Sequence, residues 1–143
     1  MKLSTRTRYG TRALLDLALH TDDNPIQLKD IASRQNISLN YLEHIIGPLV
    51  GSGIIKSTRG VHGGIRLTKK PDQIKLSEVI RLLEGDTAPV ECICTPECCN
   101  RSEQCVTRDV WNEMKQAIDE KLGSITLHDL VEKQNSRRKS KSP

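Results

Sequence analysis

A mainly α-helical fold, with one two-stranded hairpin and a long helix in its C-terminal third, is what the 143-residue sequence predicts. Three observations carry that expectation. Apolar residues recur at helical spacing through most of the chain, whereas two β-rich runs flanking a glycine-rich turn occur once. Aromatic residues are nearly absent (one Trp, two Tyr, no Phe), so aliphatic side chains have to fill the interior. With 36% hydrophobic residues the chain can bury only a modest core alone, which points to a second subunit supplying part of it.

The first helix is expected over residues 4–20, with Tyr9, Ala13, Leu14, Leu17 and Ala18 on one face and Arg8 and Arg12 on another, beside Arg6. Asp22, Asp23, Asn24 and Pro25 break it. A short second helix over 27–35 turns Leu28, Ile31 and Ala32 inward. Asn36-Ile37-Ser38 is a tight turn with a buried Ile, and Ser38 caps a third helix. That helix has Leu39, Leu42, Ile45, Ile46, Leu49 and Val50 as its core stripe, while Asn40, Tyr41, Glu43 and His44 point away. Pro48 removes a backbone donor and predicts a bend between His44 and Pro48, and Gly51-Ser52-Gly53 ends the helix.

Ile54 to Thr58 and Ile65 to Leu67 read as strands joined by Arg59-Gly60-Val61-His62-Gly63-Gly64. A fourth helix follows over 77–84, with Ser77 as cap and Gly85 past its end. Residues 86–105 hold every cysteine and follow no regular period. Thr107 opens a long helix to Leu122 carrying Val110, Trp111, Met114, Ala117 and Ile118, and Gly123 stops it. Thr126 and Asp129 form a capping-box pattern opening a short last helix, and residues 135–143 read as a disordered basic tail. The expected units are thus 1–84, a cysteine-rich loop at 86–105, a pair of helices at 107–134, and the tail.

Charge is divided along the chain. Residues 1–70 carry 11 Lys and Arg against 5 Asp and Glu, residues 71–136 carry 7 against 13, and the tail adds four cations without an acid. A basic first half suggests a polyanion partner. The order helix, helix, helix, strand, strand is that of a winged helix-turn-helix, with the helix-turn-helix at about 27–51 and the wing at 54–67. Ser38, Asn40, Tyr41, Glu43 and His44 form its reading face, placed to meet double-stranded DNA in the major groove. Arg59 and Gly60 at the wing tip suit an A·T-rich minor groove. Arg6, Arg8 and Arg12, with Lys56, Arg66, Lys69 and Lys70, are placed to clamp phosphates.

Five cysteines, at 92, 94, 98, 99 and 105, fall within 14 residues. Clustered thiols in a cytosolic chain suit metal binding or redox chemistry more than disulfides. The CxxC knuckles of a zinc ribbon are absent, and Cys92, one of Cys98 and Cys99, and Cys105 are spaced for a loop around a larger inorganic cluster. Iron–sulfur, zinc and free redox-active thiols are the three chemistries open to them. Adjacent Cys98 and Cys99 can hardly both face one cluster, Cys94 is a candidate spectator, and no His in the segment offers a fourth ligand. No Gly-rich cofactor loop, nucleophile–base pair or paired buried carboxylates mark an enzyme or a small-molecule substrate. No apolar run follows the charges of the N-terminus and none approaches a membrane span, so a cytoplasmic location is expected.

The chain resembles the Rrf-type winged-helix transcription regulators over about residues 1–134. The resemblance lies in RYG (Arg8 to Gly10) with ALLDLAL after it, ISLNYLEHI (Ile37 to Ile45), RGVHGG (Arg59 to Gly64), LSEVIRLLEG, CVTRDVW (Cys105 to Trp111) and SITLHDLV (Ser124 to Val131). It implies a homodimer paired through the 107–122 helix. It also implies operator contacts from Tyr41 and Glu43, with Arg59 in the minor groove. IscR-like members carry a [2Fe–2S] cluster on three cysteines, which map onto Cys92, Cys99 (with Cys98 as the alternative) and Cys105. This chain has Thr107 and Arg108 where IscR-like members place a His, and Arg8 where NsrR-like members place an acid, so the fourth ligand is open. The implied function is a repressor gated by a cluster that senses iron–sulfur status, oxidants or nitric oxide. The alternative is a regulator like the CymR-like members, which bind no cluster and answer to a protein partner, or one with a zinc or thiol site.

Overall fold

The computed structural model describes residues 2–20, 22 and 24–142. Asp23, among the residues expected to break the first helix, and Pro143, at the end of the basic tail, lie outside them. Among the described residues six α-helices and one hairpin follow in chain order: α1 (Thr5–Leu19), α2 (Leu28–Gln35), α3 (Leu39–Gly51), β1 (Ile55–Thr58), β2 (Gly64–Leu67), α4 (Leu76–Glu84), α5 (Val106–Gly123) and α6 (Leu127–Lys141). Single 3-10 turns stand at Pro71–Gln73, Glu91–Ile93, Pro96–Cys98 and Ser102–Gln104. This is the expected winged helix-turn-helix architecture.

The core is aliphatic throughout. Leu14 and Leu17 of α1, Ile31 of α2, Leu42, Ile45 and Leu49 of α3 and Val79 of α4 are all buried in one cluster. Each contributes about 1.5–3 kcal/mol relative to exposure. Gly10 sets how closely the helices cross: a Cβ there would run into the Leu83 side chain and stand 3.0 Å from Ile45 Cγ2. The entry to α1 is tied to the exit of α4. Glu84 Oε2 accepts the Ser4 amide at 3.0 Å, the Ser4 hydroxyl at 2.7 Å and the Thr7 hydroxyl. Those bonds, the Thr7 one first, hold the Glu84 carboxyl below its ordinary range.

The helix-turn-helix is closed by Asn36, which leaves α2 in the left-handed conformation (φ 53°), a region Asn tolerates. Its amide reaches Ser33 O and that of Ile37 reaches Ala32 O, burying Ile37 beneath the turn. Helix α3 runs without interruption across Pro48 to Gly51. β1 and β2 pair antiparallel with Ile55 opposite Leu67 and Thr58 opposite Gly64. A third edge was not anticipated: Ile26, in the α1–α2 connection, exchanges backbone hydrogen bonds with Ile65 at 2.9 and 2.8 Å. The wing is therefore stitched to the helix-turn-helix as well as to itself.

Beyond shifts of a residue at other ends, boundaries differ from expectation at α4, α5 and α6. Lys75, not Ser77, occupies the cap of α4, and α5 starts at Val106 with Cys105, not Thr107, in the cap position. The larger correction concerns the tail. Residues 135–141, expected to be disordered, continue α6 to Lys141. Two local factors favour this: Thr126 and Asp129 form a reciprocal capping box at the start, and cations in the last turn suit the negative end of the helix dipole. The first turns of α6 pack on α1 and on the 71–73 turn, and Lys75 pairs with Thr126 as an isolated bridge. No described residue of α5 is buried, and Val110, Trp111 and Met114 lie exposed along it. No helix among the described residues is long and apolar enough to cross a membrane.

Candidate nucleic-acid interface and cysteine loop

The reading face begins at a satisfied cap. Ser38 Oγ accepts the Tyr41 amide at 3.2 Å, so the first turn of α3 is fixed where it would enter a groove. Asn40, Tyr41, Glu43 and His44 are exposed around that turn, while Leu42 and Ile45 between them are buried. One face thus anchors the helix and the other stays free.

Tyr9 joins α1 to this face. Its ring meets Tyr41 edge-on, with centroids 6.1 Å apart and planes at 80°. The guanidinium carbons of Arg8 and Arg12 lie 6.0 and 5.3 Å from the Tyr9 centroid. One aromatic ring therefore lies against two cations and a residue of the first turn of α3. Arg12 is further fixed by Gln35, donating from Nε to Gln35 Oε1 at 3.2 Å and from Nη2 to the Gln35 carbonyl. Arg6 is exposed beside the same face, in a shallow recess with Tyr41 and His44.

Behind Gln35 sits a network that the sequence reading missed. Asp16, 2% exposed, accepts from Arg34 Nε at 3.0 Å and Nη2 at 2.6 Å, and from Gln35 Nε2 at 2.8 Å. Burial alone would raise its pKa, but the bonds from Arg34 and Gln35 and the Arg34 charge outweigh burial and set it below the ordinary carboxylate value. The same pairing pushes the Arg34 pKa up. Asp16 thus orients Gln35, which orients Arg12. An acid within the apolar stripe of Ala13, Leu14 and Leu17 was the available signal.

The wing tip leaves Arg59, Gly60, Val61 and His62 exposed. Gly60 takes φ +110°, and Gly63 amide returns to the Gly60 carbonyl at 3.0 Å to close the turn. A Cβ at Gly63 would collide with the Thr58 carbonyl and stand 2.8 Å from Arg59 C, so the tip requires glycine there. Lys56, Arg66, Lys69 and Lys70 are exposed on the flanks, and Lys69 stands 3.7 Å from Glu78.

All five cysteines are free thiols, Cys92 and Cys105 half-buried and Cys94, Cys98 and Cys99 exposed. Among the described residues no three His, Cys, Asp or Glu side chains converge on one point as a metal site. The donor set, rich in soft sulfur, fits an iron–sulfur group in kind. Cys94 donates its thiol proton to Asp86 Oδ2 at 2.8 Å, which pushes the Cys94 thiol up and the Asp86 carboxyl down. Partial desolvation, then the charges of Glu91, Cys92, Cys99 and Glu97, push Cys98 up. Cys105, at the N-terminus of α5, is held below its ordinary value by the Thr107 hydroxyl at 3.1 Å and by the Arg108 and Thr107 amides. Arg108 ties the loop to the first turn of α5, donating from Nε to the Cys92 carbonyl at 2.9 Å and from Nη1 to the Ser102 carbonyl at 3.4 Å. Nothing in the residue pattern distinguished Arg108 from a surface cation.

Residues 3–133 match the Rrf2 family, described as an iron-dependent transcriptional regulator. The protein named rrf2 of Nitratidesulfovibrio vulgaris is 48% identical over 131 residues, covering 92% of this chain and 87% of that one. The structure of CymR, the global cysteine regulator of B. subtilis, superposes with a TM-score of 0.80 at 38% identity, covering 92% of this chain and 97% of the other. T. potens IscR superposes at 0.76 with 39% identity, covering 94% and 88%. Matched over nearly its whole length in sequence and in fold, the chain belongs to the Rrf2 family of transcriptional regulators.

Proposed function

We propose that this regulator binds operator DNA as a homodimer and that the 92–105 loop controls the fit. The observation that carries the reading is the Tyr9 assembly, which sets Arg8, Arg12 and Tyr41 side by side at the capped end of α3. Ser38, Asn40, Tyr41, Glu43 and His44 would read base edges, Arg8 and Arg12 would hold phosphates, and Arg59 with Gly60 would enter the minor groove. The exposed apolar stripe of α5 would pair two subunits, setting two half-sites about one helical turn apart. Repression follows where such a site overlaps a promoter. The substitution Arg59→Ala is expected to cost about 1–3 kcal/mol of operator affinity and to relax A·T preference under the wing. Binding titrations on paired operators differing only there would check it; unchanged affinity and preference would remove Arg59 from the interface.

Cys92, Cys99 (or Cys98 in its place) and Cys105 would hold a [2Fe–2S] cluster, leaving Cys94 on Asp86. When bound, the cluster supplies a centre sensitive to oxidants, nitric oxide and iron–sulfur status. The chain's own contribution is mechanical. Arg108 fastens the Cys92 and Ser102 carbonyls to α5, so a rearrangement of the loop reaches the helix that sets the spacing of the reading heads. A coupling of about 1–3 kcal/mol is enough to switch operator binding.

A second reading, a cluster-free regulator of the CymR kind governed by a protein partner, or one with a zinc or thiol site, is supported by the likeness to CymR. Anaerobic purification with visible absorption and iron and sulfide analysis separates the two. The first reading expects a coloured protein that loses its iron in Cys92→Ser and Cys105→Ser and keeps it in Cys94→Ser. Colourless, iron-free protein that still binds its operator would favour the second.

A further inference from the structure

The final turns of α6 carry a charge that the reading face does not use. Arg137, Arg138, Lys139 and Lys141 follow Lys133 on one continuous helix, and no acid follows Glu132. Every described residue after Gln134 is exposed, and none of those four cations has an ion pair among the described residues. Lys133, Arg137 and Lys141 are spaced four apart, so they repel along one face unless an anion lies against them.

The chemistry of this rod selects its partner. No aliphatic or aromatic residue lies between Glu132 and Lys141, so this stretch offers nothing of the kind that anchors a protein interface or enters a bilayer. Beside the Lys133, Arg137 and Lys141 row, Arg138 and Lys139 widen the charge beyond one face, which suits a repeating row of phosphates better than one carboxylate. The rod is also an extension of a helix that packs on α1, the element that carries Arg8 and Arg12. From Gln134 to Lys141 it spans about 10 Å, roughly one screening length at moderate salt.

We propose that the C-terminal turns of α6, through Arg137, Arg138, Lys139 and Lys141, form a second contact to duplex DNA, gripping phosphates outside the half-sites read by α3. This rests on the reading of the winged unit as a DNA binder. It adds sequence-independent affinity and a longer footprint, and it leaves operator choice to α3 and the wing.

The test uses the full chain and an operator recovered from a random duplex pool. Two duplexes are compared, one just covering both half-sites and one extended by about a helical turn at each end. The fourfold variant Arg137→Gln, Arg138→Gln, Lys139→Gln and Lys141→Gln keeps helix-forming residues, and circular dichroism checks that the fold is retained. On the extended duplex it should bind about tenfold or more weakly near 150 mM salt, with a salt slope shallower by about two units or more. On the short duplex it should match the parent. Arg59→Ala should weaken binding to both duplexes. Equal affinity and slope for parent and fourfold variant on the extended duplex, with Arg59→Ala still impaired, would overturn the tail contact and leave the regulator reading standing. Equal loss on both duplexes would overturn its placement outside the half-sites. Failure of the parent to bind any duplex would overturn both.

Discussion

Replacing Asp16 by Ala should destabilise the fold by about 2–3 kcal/mol, a drop in melting temperature of roughly 5–10 °C for a chain of this size. The carboxylate is 2% exposed and is the acceptor for both Arg34 and Gln35. Its loss would strand the Arg34 charge against a closed apolar stripe. The cost falls below that of a fully buried pair because Arg34 keeps 36% of its surface exposed and can rehydrate. The pH dependence follows from the direction of the shift. Asp16 titrates below an ordinary aspartate, so its contribution is complete above the unfolded-state pKa of about 3.9 and is lost as pH falls through the lower folded value. The stability gap between parent and Asp16→Ala should therefore be widest near neutrality and shrink in acid, as denaturant titrations at the two pH values would show. DNA affinity should fall as well, since Gln35 would no longer be held beneath Arg12. A variant as stable as the parent at neutral pH would show that the Asp16 network only decorates the fold.

The parts of the molecule that could be read from residues are those with local causes. Ser38 caps α3 because a hydroxyl three residues ahead of an amide needs only the chain around it. The hairpin turn follows from glycines at Gly60 and Gly63, and the capping box of Thr126 and Asp129 is likewise local. What could not be read depends on pieces distant in sequence. Ile26 forms a third wing edge through one isolated bridge, too short to leave any alternation. The Glu84 acceptor of Ser4 and Thr7 lies some eighty residues away from them. The end of α6 misled for another reason: its composition resembles a disordered segment, yet Lys and Arg are good helix formers once a capped helix is already under way. At the site itself, the exposure of Asn40, Tyr41, Glu43 and His44 was legible from polarity on an otherwise apolar helix. Gln35 and Arg108 act through backbone carbonyls or side chains set by the tertiary fold, so their roles became visible only in three dimensions.

The substitution Gly64→Ala should break the seam between the wing and the helix-turn-helix. Gly64 takes φ +154°, and a Cβ there would collide with the Ile26 carbonyl oxygen, stand 2.6 Å from its carbon and lie 3.1 Å from the Gln27 nitrogen. All three neighbours are backbone, so no side chain can swing aside. Relief would require separating Ile26 from Ile65, giving up both hydrogen bonds of that bridge. Overpacking of about 1–3 kcal/mol adds to the strain of a non-glycine residue at positive φ, a further 1–3 kcal/mol or so. Gly60→Ala is the natural control. It too has positive φ, but its Cβ would meet open space, so only the conformational cost applies. Denaturant titration should therefore show Gly64→Ala losing clearly more stability than Gly60→Ala. Operator affinity should follow the same order, because freeing β2 from Ile26 releases the strand that aims Arg59. If the two variants proved equally stable, the bridge at Ile26 would not be what fixes the wing to the helix-turn-helix.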